Sequence, residues 1–266
     1  MRSPILILAA VCTLTAAAQA APVVWVSEGV RPGPQTGGPN PAVHLAEFQH
    51  LPGPSSIDLI NGITPTQIDA RLRHDGGGLL ELAKFSDGIA NADYPGQLPQ
   101  DYPGINVPAV SLFWALPSPQ SIGAVDIYSY NYNNDTEGDN RAWTIASIYT
   151  TTDAVPSPGG TWTALIEKAG PSGFPIGINV NTVDAVVPLT SANNYRGTGI
   201  RVKDDASATL AANITGVRVD YYASGFGNTL RNPLNSGVGD QAVSSPILVE
   251  VDVWAVGASV DDWMMF

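Results

Sequence analysis

Cysteine is almost missing from this chain: its 266 residues contain one, Cys12. That residue lies in MRSPILILAAVCTLTAAAQA, which has a basic Arg2, an apolar run from Ile5 and a small-x-small ending at Ala18-Gln19-Ala20. The pattern is that of a secretory signal cut before Ala21, so residues 1–20 are expected to be removed and the rest exported. Val11 precedes Cys12 where a lipoprotein signal wants a small residue, which argues against a lipid anchor. Without the leader no disulfide framework, thiol nucleophile or cysteine-based metal site is expected.

Long hydrophobic runs are lacking too. After the leader no segment approaches the ~20 apolar residues of a bilayer helix, so no membrane span is expected. Basic residues are scarce: 12 Lys plus Arg stand against 24 Asp plus Glu, and the cations are scattered. Nucleic acid is excluded as a partner on that ground, because phosphate binding needs clustered Lys and Arg. The acid excess favours solubility, with cation binding as a secondary role.

Catalytic motifs are missing as well. His44 and His50 in HLAEFQH are six positions apart, whereas a helical zinc pair sits about four apart. No serine elbow of the G-x-S-x-G type occurs, and the glycines at 76–78 lack the strand and the Lys-Ser/Thr of a phosphate-binding loop. Paired carboxylates for glycoside hydrolysis are a spatial property, and acids such as Asp69, Asp75 and Glu81 do not define them by sequence. The expectation is a binding protein and not an enzyme, with a secreted glycan-active enzyme as the least favoured alternative.

What the chain has in quantity is Gly (27) and Pro (22), together with Thr, Val and Asn, a profile of strands and turns. From about residue 107, alternating apolar and polar runs recur between Pro/Gly/Asn/Asp clusters. They predict strands at 108–115, 123–131, 142–150, 161–167, 183–189, 198–203, 214–222 and 246–256. The segment 21–80 is less regular. VVWVSEG (23–29) reads as a strand, 31–41 as a breaker-rich loop, and two short helices are predicted, at 42–50 and at 65–74, where Thr64 would cap and Pro65 start the helix. No internal repeat or linker divides the chain, so 21–257 reads as one domain, with 258–266 (ending DDWMMF) as a tail. The fold class predicted is all-β, a jelly-roll β-sandwich of about eight or more strands.

Several stretches, in order, carry a resemblance: FSDGIAN (85–91), LFWALPSPQSIGAVDIYSYN (112–131), DNRAWTIASIYTTTD (139–153), GGTWTAL (159–165), GVRVDYY (216–222) and PILVEVDVWAVG (246–257). Together they resemble the discoidin, or coagulation-factor type C, group of galactose-binding-like domains over roughly residues 80–257. The chain departs from that group in lacking a cysteine pair that joins its ends, in a long loop at 223–245, and in the extra segment 21–80.

The resemblance implies a structural Ca²⁺ held by the loop after the Asp-Gly turn and by a carboxylate of the last strand. Here those positions are Asp87, Asn91, Asp93 and Glu250. Calcium takes six to eight hard oxygens, and a glycine-containing loop can turn backbone carbonyls inward to complete the set. The bland alternative is that Asp87-Gly88 is a plain turn and Asp93 a solvated acid.

A sugar site is the second expectation. Sugar hydroxyls are met bidentately by amides, carboxylates and Arg, while an aromatic face covers the ring. Loop 131–141 offers Asn131, Asn133, Asn134, Asp135, Asp139, Asn140 and Arg141, and loop 223–245 adds Phe226, Asn228, Arg231 and Asn232. The same residue types also make ordinary β-connections. The partner expected is an extracellular glycan or a cell-surface or matrix component, with protein–protein adhesion as the competing role. By alternation Trp143 and Trp162 read as core, and Trp254, beside Glu250 and Asp252 on its strand, stays open between core and site. Val125 and Ile127 point to the core, and Tyr128, Tyr130 and Tyr132 to the opposite face, where they are outward or covered by the N-terminal segment.

Overall fold

The computed structural model describes residues 22–30, 55–68, 72, 81–88, 96–97, 108, 110–130, 145–167, 179–182, 196–222 and 247–258. The strands are β1 (Val23–Val30), β2 (Thr66–Gln67), β3 (Gly96–Gln97), β4 (Val110–Tyr130), β5 (Ile145–Thr151), β6 (Thr163–Ile166), β7 (Asn179–Thr182), β8 (Arg196–Lys203), β9 (Ala211–Tyr222) and β10 (Ile247–Ala255). A single 3-10 helix, Leu82–Ser86, is the helical element among the described residues.

The long strand β4 organises everything else. Its first part, Val110–Ala115, pairs antiparallel with β9, which pairs with β5, which pairs with β6. Its second part, Ala124–Tyr130, pairs antiparallel with β8 on one side and β10 on the other, and β8 continues to β1 and β7. The β1–β7 pair is parallel. Between the two parts the register to β9 shifts at Ala115/Gln120 and Gln120/Ile122. The core-facing residues change from even-numbered Leu112, Trp114 and Ile122 to odd-numbered Val125 and Ile127. A strand that changes layer in this way makes the corner of a β-sandwich.

The two layers share one apolar core. Leu112, Trp114, Ile148, Val217 and Val219 come from the first layer, and Val24, Val125, Ile127, Ile200, Val202, Val251 and Val253 from the second. Fully burying each such side chain contributes about 1.5–3 kcal/mol before entropy is charged. Gly123 sits at the corner, where an added Cβ would lie 3.0 Å from the Ala208 carbonyl oxygen. The stretches 55–68 and 81–88 seal the side of the sandwich along β10. The Leu59 amide donates to the Val253 carbonyl (2.8 Å), and Ile60 and Phe85 are fully buried. Ser86 locks this seal: its hydroxyl donates to the Ile63 carbonyl (2.6 Å) and accepts the Trp114 indole N–H (3.0 Å).

The all-β sandwich agrees with the sequence reading, and three details differ. Pro117-Ser118-Pro119 was expected to separate two strands, but β4 runs through it. The helix expected over 65–74 is replaced at Thr66–Gln67 by a strand pairing with Phe113 and Leu112, because an open strand edge satisfies more backbone there than a short capped turn could. Trp162 is half-buried before β6 and not in the core; its ring packs on Phe113 (centroids 5.6 Å) and its N–H donates to the Ser157 carbonyl. The helix expected at 42–50, the strand at 183–189 and Trp143 lie outside the described residues.

Candidate functional site

The connection 131–144 leaves β4 at Tyr130 and enters β5 at Ile145, and the connection 223–246 leaves β9 at Tyr222 and enters β10 at Ile247. In the ladders Tyr130 pairs with Ile247, and Ile145 pairs with Tyr222. Hydrogen-bonded strands are about 4.8 Å apart, so the anchors of the two connections are side by side at one end of the sandwich. Gly197, at the start of β8, pairs with Tyr130 at the same end. The expected ligand residues Asn131, Asn133, Asn134, Asp135, Asp139, Asn140, Arg141, Asn228 and Arg231 lie outside the described residues, as do Phe226 and Asn232. The fold therefore fixes where their loops start and end.

Of the four residues expected around calcium, the structure brings two together. The Gly88 amide donates to Glu250 Oε1 at 3.0 Å, across 162 residues of sequence. Gly88 has φ +77°, and an added Cβ would stand 2.7 Å from the Ser56 backbone, so this position requires glycine. A β-bulge aims Glu250. Leu248 pairs with Ser129 and Glu250 with Tyr128, leaving Val249 as an extra residue. Without it, alternation would put Leu248, a core residue, on the face that Glu250 uses. Glu250 Oε2 is buried with no hydrogen-bond partner. Burial pushes the Glu250 carboxyl up to about 9, with Asp87 and Asp58 adding to the rise and the backbone N–H groups of Gly88 and Asp87 opposing it. Asn91 and Asp93 lie outside the described residues. Among the described residues no group of three or more His, Asp or Glu is arranged to hold a metal ion.

A row of buried charge crosses the second layer, which alternation did not reveal. Asp126 on β4 pairs with Arg201 on β8 and with Asp252 on β10, and Asp58 reaches the far edge of β10, where its Oδ1 accepts the Val253 amide (3.2 Å) and the Ile60 amide (2.8 Å). Asp126 and Asp252 are 0% exposed. Like charges directly opposite one another are unfavourable, and buried ones more so. The row therefore resists ionisation. Burial raises Asp58 to about 6 and Asp126 above the usual carboxylate range, and it raises Asp252 well above that range with help from Asp58, Glu250 and Asp126. Neither oxygen of Asp252 has a hydrogen bond of good geometry; the Ser55 backbone favours its charged form weakly.

Trp254 belongs to this row. It is 3% exposed, and its indole N–H donates to Asp126 Oδ2 at 2.7 Å. Tyr128, on the face opposite Ile127, is covered and not solvent-facing. The available signal was acids inside valine-rich strands, VDI around Asp126 and VDV around Asp252. Alternation reads such acids as solvated, and nothing local announces the cover.

No protein-family model matches the chain, and no curated protein does. Among solved structures, the lectin domain of lectinolysin complexed with Lewis B antigen aligns at 11% identity and a TM-score of 0.36, covering 76% of this chain and 98% of that one. The His 62 mutant of the lectinolysin lectin-binding domain, complexed with Lewis b, aligns at 10% identity and 0.36. CpGH89CBM32-4, produced by Clostridium perfringens and in complex with GlcNAc-α-1,4-galactose, aligns at 10% identity and a TM-score of 0.32, covering 80% of this chain and 99% of that one. No helix of the described residues is long and apolar enough to cross a membrane.

Proposed function

We propose that this protein is an exported, non-catalytic glycan-binding β-sandwich of the discoidin-like type. The ligand would be met by the connections 131–144 and 223–246. The observation that carries the reading is the pairing of Tyr130 with Ile247 and of Ile145 with Tyr222. It gathers the roots of the two loops richest in Asn, Asp and Arg at one end of a rigid scaffold, where loops commonly carry recognition. Arg141 and Arg231 would supply bidentate donors to hydroxyls or carboxylates, with Asn131, Asn133, Asn134, Asn140 and Asn228 and the acids Asp135 and Asp139 completing the set.

A structural Ca²⁺ belongs to the same proposal. Its support is the Gly88–Glu250 contact and the orphaned Glu250 Oε2 beside Asp87, an oxygen-rich corner that a divalent cation would neutralise. Asp87 and Glu250 would hold it from the described residues, with Asn91 and Asp93 from the following loop.

The test is a glycan array probed with the purified exported chain and with Arg141→Ala and Arg231→Ala. Binding by the parent that falls at least tenfold in either variant, with the thermal midpoint unchanged, supports the reading. A blank array combined with self-association in light scattering would replace it with a protein–protein adhesive role.

A further inference from the structure

At the opposite end of the second layer from those loops lies a cavity of about 200 Å³. Its walls are small, coming from Gly123, Ala124, Ala208 and Gly257, and its polar lining comes from Arg201, Lys203, Asp204 and Ser207, next to Trp254. The volume equals six or seven waters at roughly 30 Å³ each, which suits one small organic molecule and not a chain. Ala124 pairs with Lys203 and with Trp254, so this corner sits six residues along β4 from Tyr130.

Arg201 is the unusual group. Its side chain is 8% exposed, and Nη1 is buried without a hydrogen-bond partner. Among the described residues the nearest anion, Asp126 Oδ2, is 3.6 Å from Nη1, too far for a hydrogen bond, and already accepts the Trp254 N–H at 2.7 Å. The guanidinium lies 5.8 Å from the centroid of the Trp254 ring. Nη1 is sealed from solvent on the Asp126 side, so a molecule in the cavity would meet the rest of this weakly paired guanidinium, whose charge an anion there would offset. Of the other acids nearby, Asp204 is itself part of the lining and is held by local amides. Asp204 Oδ1 accepts the Ala206 and Ser207 amides (2.8 and 3.1 Å), and Asp205 meets Lys203 at 2.8 Å in an exposed pair worth little. Burial holds the Asp126 carboxyl above the usual range, which weakens it as a counter-ion for Arg201.

We infer that this cavity is a second binding site, taking a small carboxylate whose charge is met by Arg201 and Lys203. The site is independent of the loop-borne glycan reading. A free organic acid and an acidic sugar share this chemistry, and the test separates them.

Isothermal titration with D-glucuronate, D-glucose and acetate, on the whole exported chain, is the experiment. Glucuronate is expected to bind at least tenfold more tightly than glucose. Acetate matching glucuronate would identify the carboxylate alone as the ligand feature, and acetate failing where glucuronate binds would identify an acidic sugar. Lys203→Gln should weaken glucuronate about five- to tenfold, and Ala258→Phe, at the exposed rim, should abolish binding; both leave the buried row intact, so folding is preserved. Arg141→Ala should leave glucuronate binding unchanged, which separates this site from the loops. Equal affinity for glucose and glucuronate, no binding of either acid, or retention of binding in Ala258→Phe would overturn the inference.

Discussion

Trp254 and Asp126 stand on neighbouring strands of the second layer, joined by an indole N–H that donates to a fully buried carboxylate oxygen at 2.7 Å. The bond is the best-formed contact Asp126 has, since Arg201 is 3.6 Å away and Asp126 Oδ1 has no hydrogen bond of good geometry, Tyr128 favouring its charged form less than Trp254 does. Trp254→Phe keeps most of the packing and removes the donor. It should cost about 1–3 kcal/mol, the usual penalty for a buried acceptor left unsatisfied, measured as a lower urea midpoint with an unchanged slope. An unchanged midpoint would mean that Asp126 does not depend on this bond.

Raised carboxyls give the protein an inverted pH profile. Asp58 moves from 3.8 to about 6 and Glu250 from 4.5 to about 9, and Asp126 and Asp252 move in the same direction. The folded state therefore holds more protons than the unfolded chain through the window from about pH 4 to pH 9. Stability contributed by these groups is complete below their ordinary values and is lost as pH rises through the folded ones. In chelator, the thermal midpoint should fall between pH 5 and pH 9. Glu250→Gln, which keeps an acceptor for the Gly88 amide and cannot ionise, should flatten the upper part of that slope. A midpoint that rises steadily with pH would contradict the buried row.

Calcium should act on the same groups. At a concentration about 100-fold above its dissociation constant a ligand bound only by the folded state adds about 2.7 kcal/mol. Added Ca²⁺ should raise the midpoint more at pH 8 than at pH 5, because the proton that Glu250 must give up to bind a cation competes less as pH approaches its folded value of about 9, and Glu250→Gln should abolish the response. No shift at pH 8, with no metal found by mass spectrometry, removes the cation from the proposal.

Gly88→Ala tests the turn that presents the backbone to Glu250. Its φ of +77° disfavours any side chain, and the Cβ would meet Ser56 backbone atoms at 2.7–2.8 Å. A loss of about 1–3 kcal/mol is expected, together with a weaker calcium response if the turn holds the ion. Gly62→Ala is the control: it shares the positive φ but meets nothing within 4 Å, and should cost less.

Ser86→Ala removes one hydroxyl that serves two partners, the buried Trp114 N–H and the half-buried Ile63 carbonyl. The Trp114 N–H is left unsatisfied in the core and the Ile63 carbonyl loses its donor, so the expected loss is about 1–3 kcal/mol. Denaturant titration reads it directly.

The sequence exposed the layers well and the charge poorly. Val125 and Ile127 announce a core row because alternation at period two reports which side of a strand is apolar. It does not report what covers the other side, which is why Asp126, Asp252 and Tyr128 could not be recognised as buried. The Pro117-Ser118-Pro119 stretch looked like a break because proline lacks an amide donor, yet the ladder shifts register there and the chain continues. Thr64-Pro65 carried a real helix-start signal, but the edge of β4 offered Thr66 and Gln67 a pairing no local rule can see. Glu250 was singled out because the family resemblance implies a carboxylate in the last strand, whereas the Val249 bulge that aims it is a tertiary feature. The cavity beside Arg201 is assembled mostly from glycines and alanines of β4, β10 and the connections that follow β8 and β10, a composition that carries no signature.

Because β4 supplies a strand to both layers, neither layer is a closed unit. Peeling β4 away would expose the edges of β9, β8 and β10 together. The sandwich should then unfold as one cooperative block, with no intermediate in which a single layer survives. In native-state hydrogen exchange the amides of Leu112 and Ile127, one in each layer, should open with the same free energy and the same dependence on denaturant.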